Sequence, residues 1–220
     1  MDPALRQAWT GIVTADDYEQ HMAAIGQAQA AAELTIEILR RAPPAPASVV
    51  AIAGAGTGQM LDFLDPNLFR PYRLICTDLN ASFLDRLRER LARHGLEAEI
   101  LQDDFENSRM YPEMDLLLAT LLLEHIDWHR GVTTIGRLRP RQAGIILQEN
   151  PAGMTSAITP GRAIPPSLAR AAETAHPTLV PRDALIDSME THGYSRREVM
   201  MRAVADEKRL VALQFDRIES

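Results

Sequence analysis

Three glycines, Gly54, Gly56 and Gly58, follow an apolar run in VVAIAGAGTGQML. A second apolar run, LICTD, ends on Asp78. Glycine has no Cβ, so a turn built from it lets backbone approach a ligand closely. An acid roughly twenty residues beyond such a turn, at the end of the next strand, is placed to accept hydrogen bonds from ribose hydroxyls. Together these residues point to a nucleoside-containing cofactor. The spacing departs from the dinucleotide pattern, because Gly58 stands one position too early for G-x-G-x-x-G.

The elements around these residues alternate. Strands are predicted at 48–53, 72–77, 97–101, 114–120 and 143–148, with helices at 57–64, 81–93 and 129–138 between them. Asn80 is the expected N-cap of the second helix and His94-Gly95 its stop. This is the rhythm of a doubly wound, mostly parallel α/β sheet. A helix at 182–192 follows, closed by Gly193. Two last strands, 197–205 and 209–215, are joined so closely at Asp206-Glu207-Lys208 that they must be antiparallel.

Ahead of the sheet, Thr14 caps an Ala-rich pattern with apolar residues at Tyr18, Met22, Ile25, Ala32, Ile36 and Leu39. It predicts one long amphipathic helix that ends before Pro43-Pro44. The division expected is a helical cap over 1–44 and a sheet domain over 45–220. An irregular, proline-rich insertion at about 151–181 interrupts the latter, with turns at Pro160-Gly161 and Pro165-Pro166 and a short helix at 167–174. It either covers the ligand edge of the sheet or is a plain long connection.

Net charge is −7 over 220 residues, which disfavours a nucleic-acid substrate, since phosphate binding needs clustered Lys and Arg. Arg86, Arg88, Arg90 and Arg93 do cluster, among Asp85 and Glu89, and read as a solvated helix face. The single cysteine, Cys76, lies within a strand and reads as a small buried hydrophobe. No secretory pattern opens the chain, and no apolar run reaches the roughly eighteen residues of a membrane span. A cytoplasmic enzyme without nucleic-acid or membrane partners is the expectation. No His, Asp and Glu cluster has metal-ligand spacing, so no metal is expected. An exposed apolar N-terminal helix makes a homodimer possible.

The residues from about Ser48 to Phe215 resemble the class I S-adenosylmethionine-dependent methyltransferases. The resemblance rests on GAGTG at Gly54–Gly58, on Asp78 in CTDLN, on LQDDFEN at Leu101–Asn107 and on DLLLATLLLEHID at Asp115–Asp127. It implies a Rossmann-like sheet of seven strands with a C-terminal antiparallel hairpin and an added N-terminal helix. It also implies S-adenosyl-L-methionine as cofactor and S-adenosyl-L-homocysteine as product. Gly54, Ala55, Gly56 and Gly58 would bring backbone against the methionyl and ribose portions. Asp78, with Leu79 beside it, would take the ribose hydroxyls. Asp104 would accept from the adenine amino group and Phe105 would give its amide, with Asp103 the fallback one position earlier. Ala119, Thr120 and Leu121 would line the methionine end.

Transfer of a methyl group needs an aligned nucleophile and exclusion of water. His125 is a candidate general base if the nucleophile is a hydroxyl or ammonium, and a structural role is the other reading. His21 is a more distant base candidate. Tyr18, His21 and Met22 either form a lid or pack into the core. Trp128, Glu149 and Asn150 are candidates for the substrate wall, Trp128 with a helix-start packing role as its alternative. The leading expectation is a methyltransferase acting on an oxygen or nitrogen of a small molecule. A catalytically inactive S-adenosylmethionine-binding regulatory or scaffold protein is a second reading, and an NAD-dependent oxidoreductase a third.

Overall fold

Side chains alternate between the two faces of a strand, and in this sheet both faces are apolar. The computed structural model describes residues 2–41, 43–110, 114–154, 163–173, 175 and 177–218. Its five parallel strands are β1 (Val49–Ala53), β2 (Arg73–Asp78), β3 (Ala98–Gln102), β4 (Leu116–Thr120) and β5 (Gln142–Glu149). An antiparallel hairpin of β6 (Tyr194–Ala203) and β7 (Arg209–Arg217) completes it. The strand order is β3-β2-β1-β4-β5-β7-β6. The order reverses between β1 and β4, and the carboxyl ends of those strands are where such sheets bind ligands.

Val50, Ile52, Leu116, Leu118 and Ile146 face one layer, made by α3 (Gln27–Arg41) and α4 (Ala81–Arg93). Ala51, Ala53, Leu117, Ile145 and Leu147 face the other, made by α5 (Trp128–Leu138) and α7 (Arg182–Thr191). Burial on both faces is why these strands read as unbroken apolar runs. Asn80 caps α4 by accepting from the amides of Ser82 and Phe83, and Gly95 (φ +61°) follows its end. Tyr194 starts β6 three positions before the predicted strand. Its ring is buried and its hydroxyl donates to the Pro140 carbonyl at 3.0 Å.

Three expectations are corrected. The long N-terminal helix is two helices, α2 (Ala15–Ala24) and α3, separated at Gly26. Gly26 takes φ +71°, which only glycine adopts cheaply. The break lets α3 pack on the sheet, with Leu34 and Ile38 fully buried, while α2 turns over the strand ends. The predicted helix at 57–64 is a single tight 3₁₀ turn, Gln59–Phe63. Gly58 in the left-handed region on one side and Pro66 on the other leave no room for more. Thirdly, Arg90 does not lie on a solvated face. It is 4% exposed, ion-paired with Glu19 of α2 at 2.8 Å and Asp62 at 3.0 Å, and it donates to the Thr57 carbonyl of the glycine loop. Arg86 pairs instead with Asp16 and Arg88 with Asp85, both near the surface.

A third apolar cluster sits above the strand ends. It joins α1 (Pro3–Gln7), the π-turn Ala8–Ile12 and α2 to Phe83 and to α6 (Pro166–Ala172). Ser167 ties α6 down, donating its amide to Asp17 at 2.7 Å and accepting from the Thr14 amide at 3.1 Å. The helical part of the insertion therefore lies over the ligand edge. The Pro160-Gly161 turn and the expected helix end at Thr174 fall outside the described residues.

Removing Arg90 strands two carboxylates in a partly dry site. Arg90→Met is expected to lower stability by about 3 kcal/mol at pH 7 in urea unfolding, the lower end for a broken buried pair because its partners keep some solvent access. Burial pushes the Glu19 and Asp62 carboxyls up. The hydrogen bonds and charges around them, mainly from Arg90 and, at Asp62, also His94, outweigh it and hold both below their usual values. The stabilisation is thus complete above the ordinary carboxylate range and is lost as pH falls through the lowered values. The difference between wild type and variant should shrink on acidification below about pH 4.

Candidate functional site

The loop after β1 turns through Gly54, Gly56 and Gly58, all at positive φ. The Ala55 amide donates to the Thr77 carbonyl and the Gly56 amide to Asp78 Oδ2 at 2.9 Å. Asp78 Oδ1 accepts from the Asn80 amide at 2.8 Å. Burial pushes the Asp78 carboxyl up, opposed by these amides and that of Leu79. The carboxylate is therefore fixed in orientation with oxygen lone pairs to spare.

One cavity of about 200 Å³ runs along the strand ends. Gly54, Gly56, Asp78, Leu79, Asp103, Phe105, Thr120 and Leu121 line one part of it, with Tyr18, His21 and His125 of the expected residues also present. Besides Asp104, six expected residues stand elsewhere. A Cβ on Gly58 would come 2.4 Å from Leu87, so Gly58 serves the packing of α4 under the loop. Ala55 packs on the apolar core and Ala119 is buried within β4. Trp128 stacks on His129 at 3.6 Å between ring centres and packs on the core, so the packing role holds. Glu149 is engaged by Arg209 at 2.6 Å and Arg182 at 3.5 Å. Asn150 is turned inward on the chain, accepting from Gln148 Nε2 at 2.8 Å and donating to the Met154 carbonyl at 3.1 Å.

The adjacent acids 103 and 104 divide clearly. Asp103 lines the cavity, and its Oδ2 is buried without a partner, while Oδ1 accepts from the Arg109 amide at 2.9 Å. Asp104 caps the short turn Phe105–Asn107 and is paired with Arg6. The geometry favours Asp103, the fallback, over Asp104 as the acid that faces a ligand.

Several cavity residues carried no signal strong enough to single them out. Trp9 enters from the π-turn, its ring 4.6 Å from that of His125 and edge-on to Tyr18 and Phe83. Its carbonyl accepts from Asn80 Nδ2. Gln27, at the start of α3, donates to Gln148 Oε1 at 2.6 Å. Lys208 and Asp206 line the cavity from the hairpin, Lys208 only 6% exposed. Strand alternation could have found Gln148. It shares a face with Ile146, while Glu149 shares one with Leu147.

Glu124 and His125 lie on the 3₁₀ turn Leu123–His125. Glu124 Oε1 accepts from the Gln148 amide at 2.7 Å; Oε2 is buried with no partner. Burial pushes its carboxyl up to about 7, against the opposing amides of Gln148 and of Glu124 itself. His125 Nδ1 is also buried and unpartnered, and burial pulls that ring down to about 4. At neutral pH His125 is uncharged and a weak base, which counts against it as the general base.

Residues 50–139 match the family model described as a methyltransferase domain. The order of the strands is that of the Rossmann-like methyltransferase fold. Solved structures agree in fold with this methyltransferase domain. The magnesium protoporphyrin IX methyltransferase of Synechocystis, with S-adenosylhomocysteine bound, is similar with a TM-score of 0.65 and 12% identity over 86% of this chain and 83% of that one. An S-adenosylmethionine-dependent methyltransferase of Clostridium acetobutylicum gives 0.59 and 10% over 86% and 91%. The 4+2 cyclase SpnF gives 0.65 and 14% over 87% and 83%. No curated protein sequence is significantly similar to the chain. The methyltransferase cofactor fits the residues present, because bare loop backbone, an amide-fixed Asp78 and the unpartnered Asp103 oxygen converge on one cavity.

The two shifted groups of the turn act on stability in opposite directions. A raised Glu124 value favours the protonated folded state, so its contribution falls as pH rises from about 4.5 to about 7. A depressed His125 value makes the folded state resist protonation, so its contribution is lost as pH falls from 6.5 toward about 4. His21, Asp206 and Lys208 share the cavity with them. Glu124→Gln should remove the decline toward pH 7, moving the maximum of melting temperature upward in pH. An unshifted profile by calorimetry would contradict this placement.

Proposed function

We propose that this protein transfers the methyl group of S-adenosylmethionine to an oxygen or nitrogen of a small, largely apolar molecule. The observation that carries the reading is the continuity of the cavity. Asp103, Phe105, Gly54, Asp78 and Thr120 line the same cavity as the apolar Ile164, Leu168 and Ala175. A scaffold protein that only held the cofactor would need no such apolar lining. The bound cofactor supplies an electrophilic methyl on a sulfonium. The chain's own residues do the rest. Asp78 holds the ribose hydroxyls, Asp103 accepts from the adenine amine, and the backbone at Gly54 and Gly56 receives the tail.

Tyr18 and Trp9 roof the site and keep water from it. Tyr18 would lie 3.5 Å from a Cβ on Gly56, directly over the loop. The roof lies over the ligand edge, and lifting of α1, the π-turn and α2 would widen the way in for the cofactor. The lid reading of Tyr18, His21 and Met22 follows, although Met22 is also buried. Support for a small-molecule substrate comes from the neighbour that by name methylates magnesium protoporphyrin IX. The acidic chain fits poorly with nucleic acid.

Calorimetry with S-adenosylhomocysteine tests the cofactor half of the reading. Asp78→Ala is expected to weaken binding by about 1–3 kcal/mol, the size of lost hydrogen bonds to a charged group. Asp103→Asn should cost more than Asp104→Asn, because only the former faces the cavity. Equal losses at 103 and 104, or no loss at 78, would overturn the placement. Formation of S-adenosylhomocysteine from S-adenosylmethionine with a panel of hydroxy- and amino-substituted small molecules tests the transfer itself.

A further inference from the structure

Within the cavity the chain leaves an acceptor without a donor. Glu124 is 3% exposed, and its Oε1 accepts from the Gln148 amide. Oε2 is buried without a partner, as are Thr120 Oγ1 and His125 Nδ1 on the same segment. All three residues line the cavity. A buried polar atom left unpaired costs free energy, so it demands an explanation. The neighbouring amides do not supply one. Gln148 Nε2 is committed to Asn150 and Gln27 Nε2 to Gln148 Oε1. The cavity wall includes the apolar Met22, Ile25, Leu168, Ala171 and Val204, with His21, Asp206 and Lys208 among its polar groups.

We propose that Glu124 Oε2 is the substrate-recognition acceptor, selecting an apolar, ring-containing molecule that presents one hydrogen-bond donor, a hydroxyl or a protonated amine, to the floor of the cavity. The inference rests on the methyltransferase reading and narrows its substrate class. Recognition is thereby separate from cofactor binding, because Glu124 is not among the residues assigned to the nucleoside. A molecule of the same shape without a donor leaves Oε2 desolvated and unpaired. A site built to pair a donor discriminates strongly against such an analogue. The apolar part of the wall supplies affinity without orientation, and the Glu124 acceptor supplies the orientation.

The test uses a matched pair of probes, 4-phenylphenol and its methyl ether 4-methoxybiphenyl, titrated by ligand-observed NMR into the full chain saturated with S-adenosylhomocysteine. The phenol is expected to bind the wild type at least about tenfold tighter than the ether. In Glu124→Gln the Gln148 amide keeps the side-chain oxygen on its own side, which turns the new NH₂ toward the cavity. The preference should then vanish or invert, a change that loss of packing alone does not produce. Equal binding of the two probes to wild type, binding of neither, or an unchanged ratio in the variant would each overturn the proposal. The wild-type comparison stands even if the variant does not fold. S-adenosylhomocysteine titrated alone separates the two readings. Its failure to bind defeats the methyltransferase assignment, whereas its binding with indifferent probes defeats only the role of Glu124.

Discussion

Arg90 is the tie on which the site depends. Its guanidinium joins the glycine-loop carbonyl of Thr57, Glu19 on the cap and Asp62 after the loop, all from the buried side of α4. A planar fork of donors can satisfy several acceptors at fixed angles, which lysine could not do. Loop, helix and cap are therefore set relative to one another by one side chain. The glycine loop needs that support because its backbone is held in a conformation with little intrinsic preference. The cap needs it because its apolar contacts are few compared with those of the sheet.

Much of the fold was legible because the strands announce themselves. Both faces of β1, β4 and β5 are covered, so their runs are apolar from end to end. Asn80, Gly95 and Gly193 stand where helix starts and stops require them. The break at Gly26 was harder to see. The apolar spacing continues across it, and only the left-handed backbone there divides α2 from α3. Arg90 misled for a similar reason, since charged neighbours at helical spacing look alike until tertiary partners separate them. The aligned acids Asp103 and Asp104 differ only in which way each side chain turns. Adjacent positions on an irregular segment give no periodic signal to decide that.

The substrate end was the least legible part, and its residues explain why. Gln27, Gln148 and Lys208 come from three separated stretches of chain, none of which forms a motif alone. Glu149 and Asn150 looked better placed because they end a strand. Pleating sent Glu149 to Arg182 and Arg209 instead. The residue one step earlier carries the side chain toward the cavity.

Two of the strained non-glycine residues of the backbone, Leu121 and Asp206, stand at the cavity. Leu121 sits at φ +52° directly after β4, and Asp206 and Glu207 at +62° and +57° in the hairpin turn. Such conformations cost non-glycine residues about 1 kcal/mol or more each. Leu121 and Asp206 both line the cavity. The surrounding sheet over-determines them, with the Leu121 amide bonded to the Ile146 carbonyl and the Val204 amide to that of Lys208. The rigid core thus holds side chains where an unstrained turn would not put them. A fold shared with a 4+2 cyclase as well as with methyltransferases leaves specificity to the cavity. Its unmet acceptor at Glu124 is the most specific chemical statement it makes.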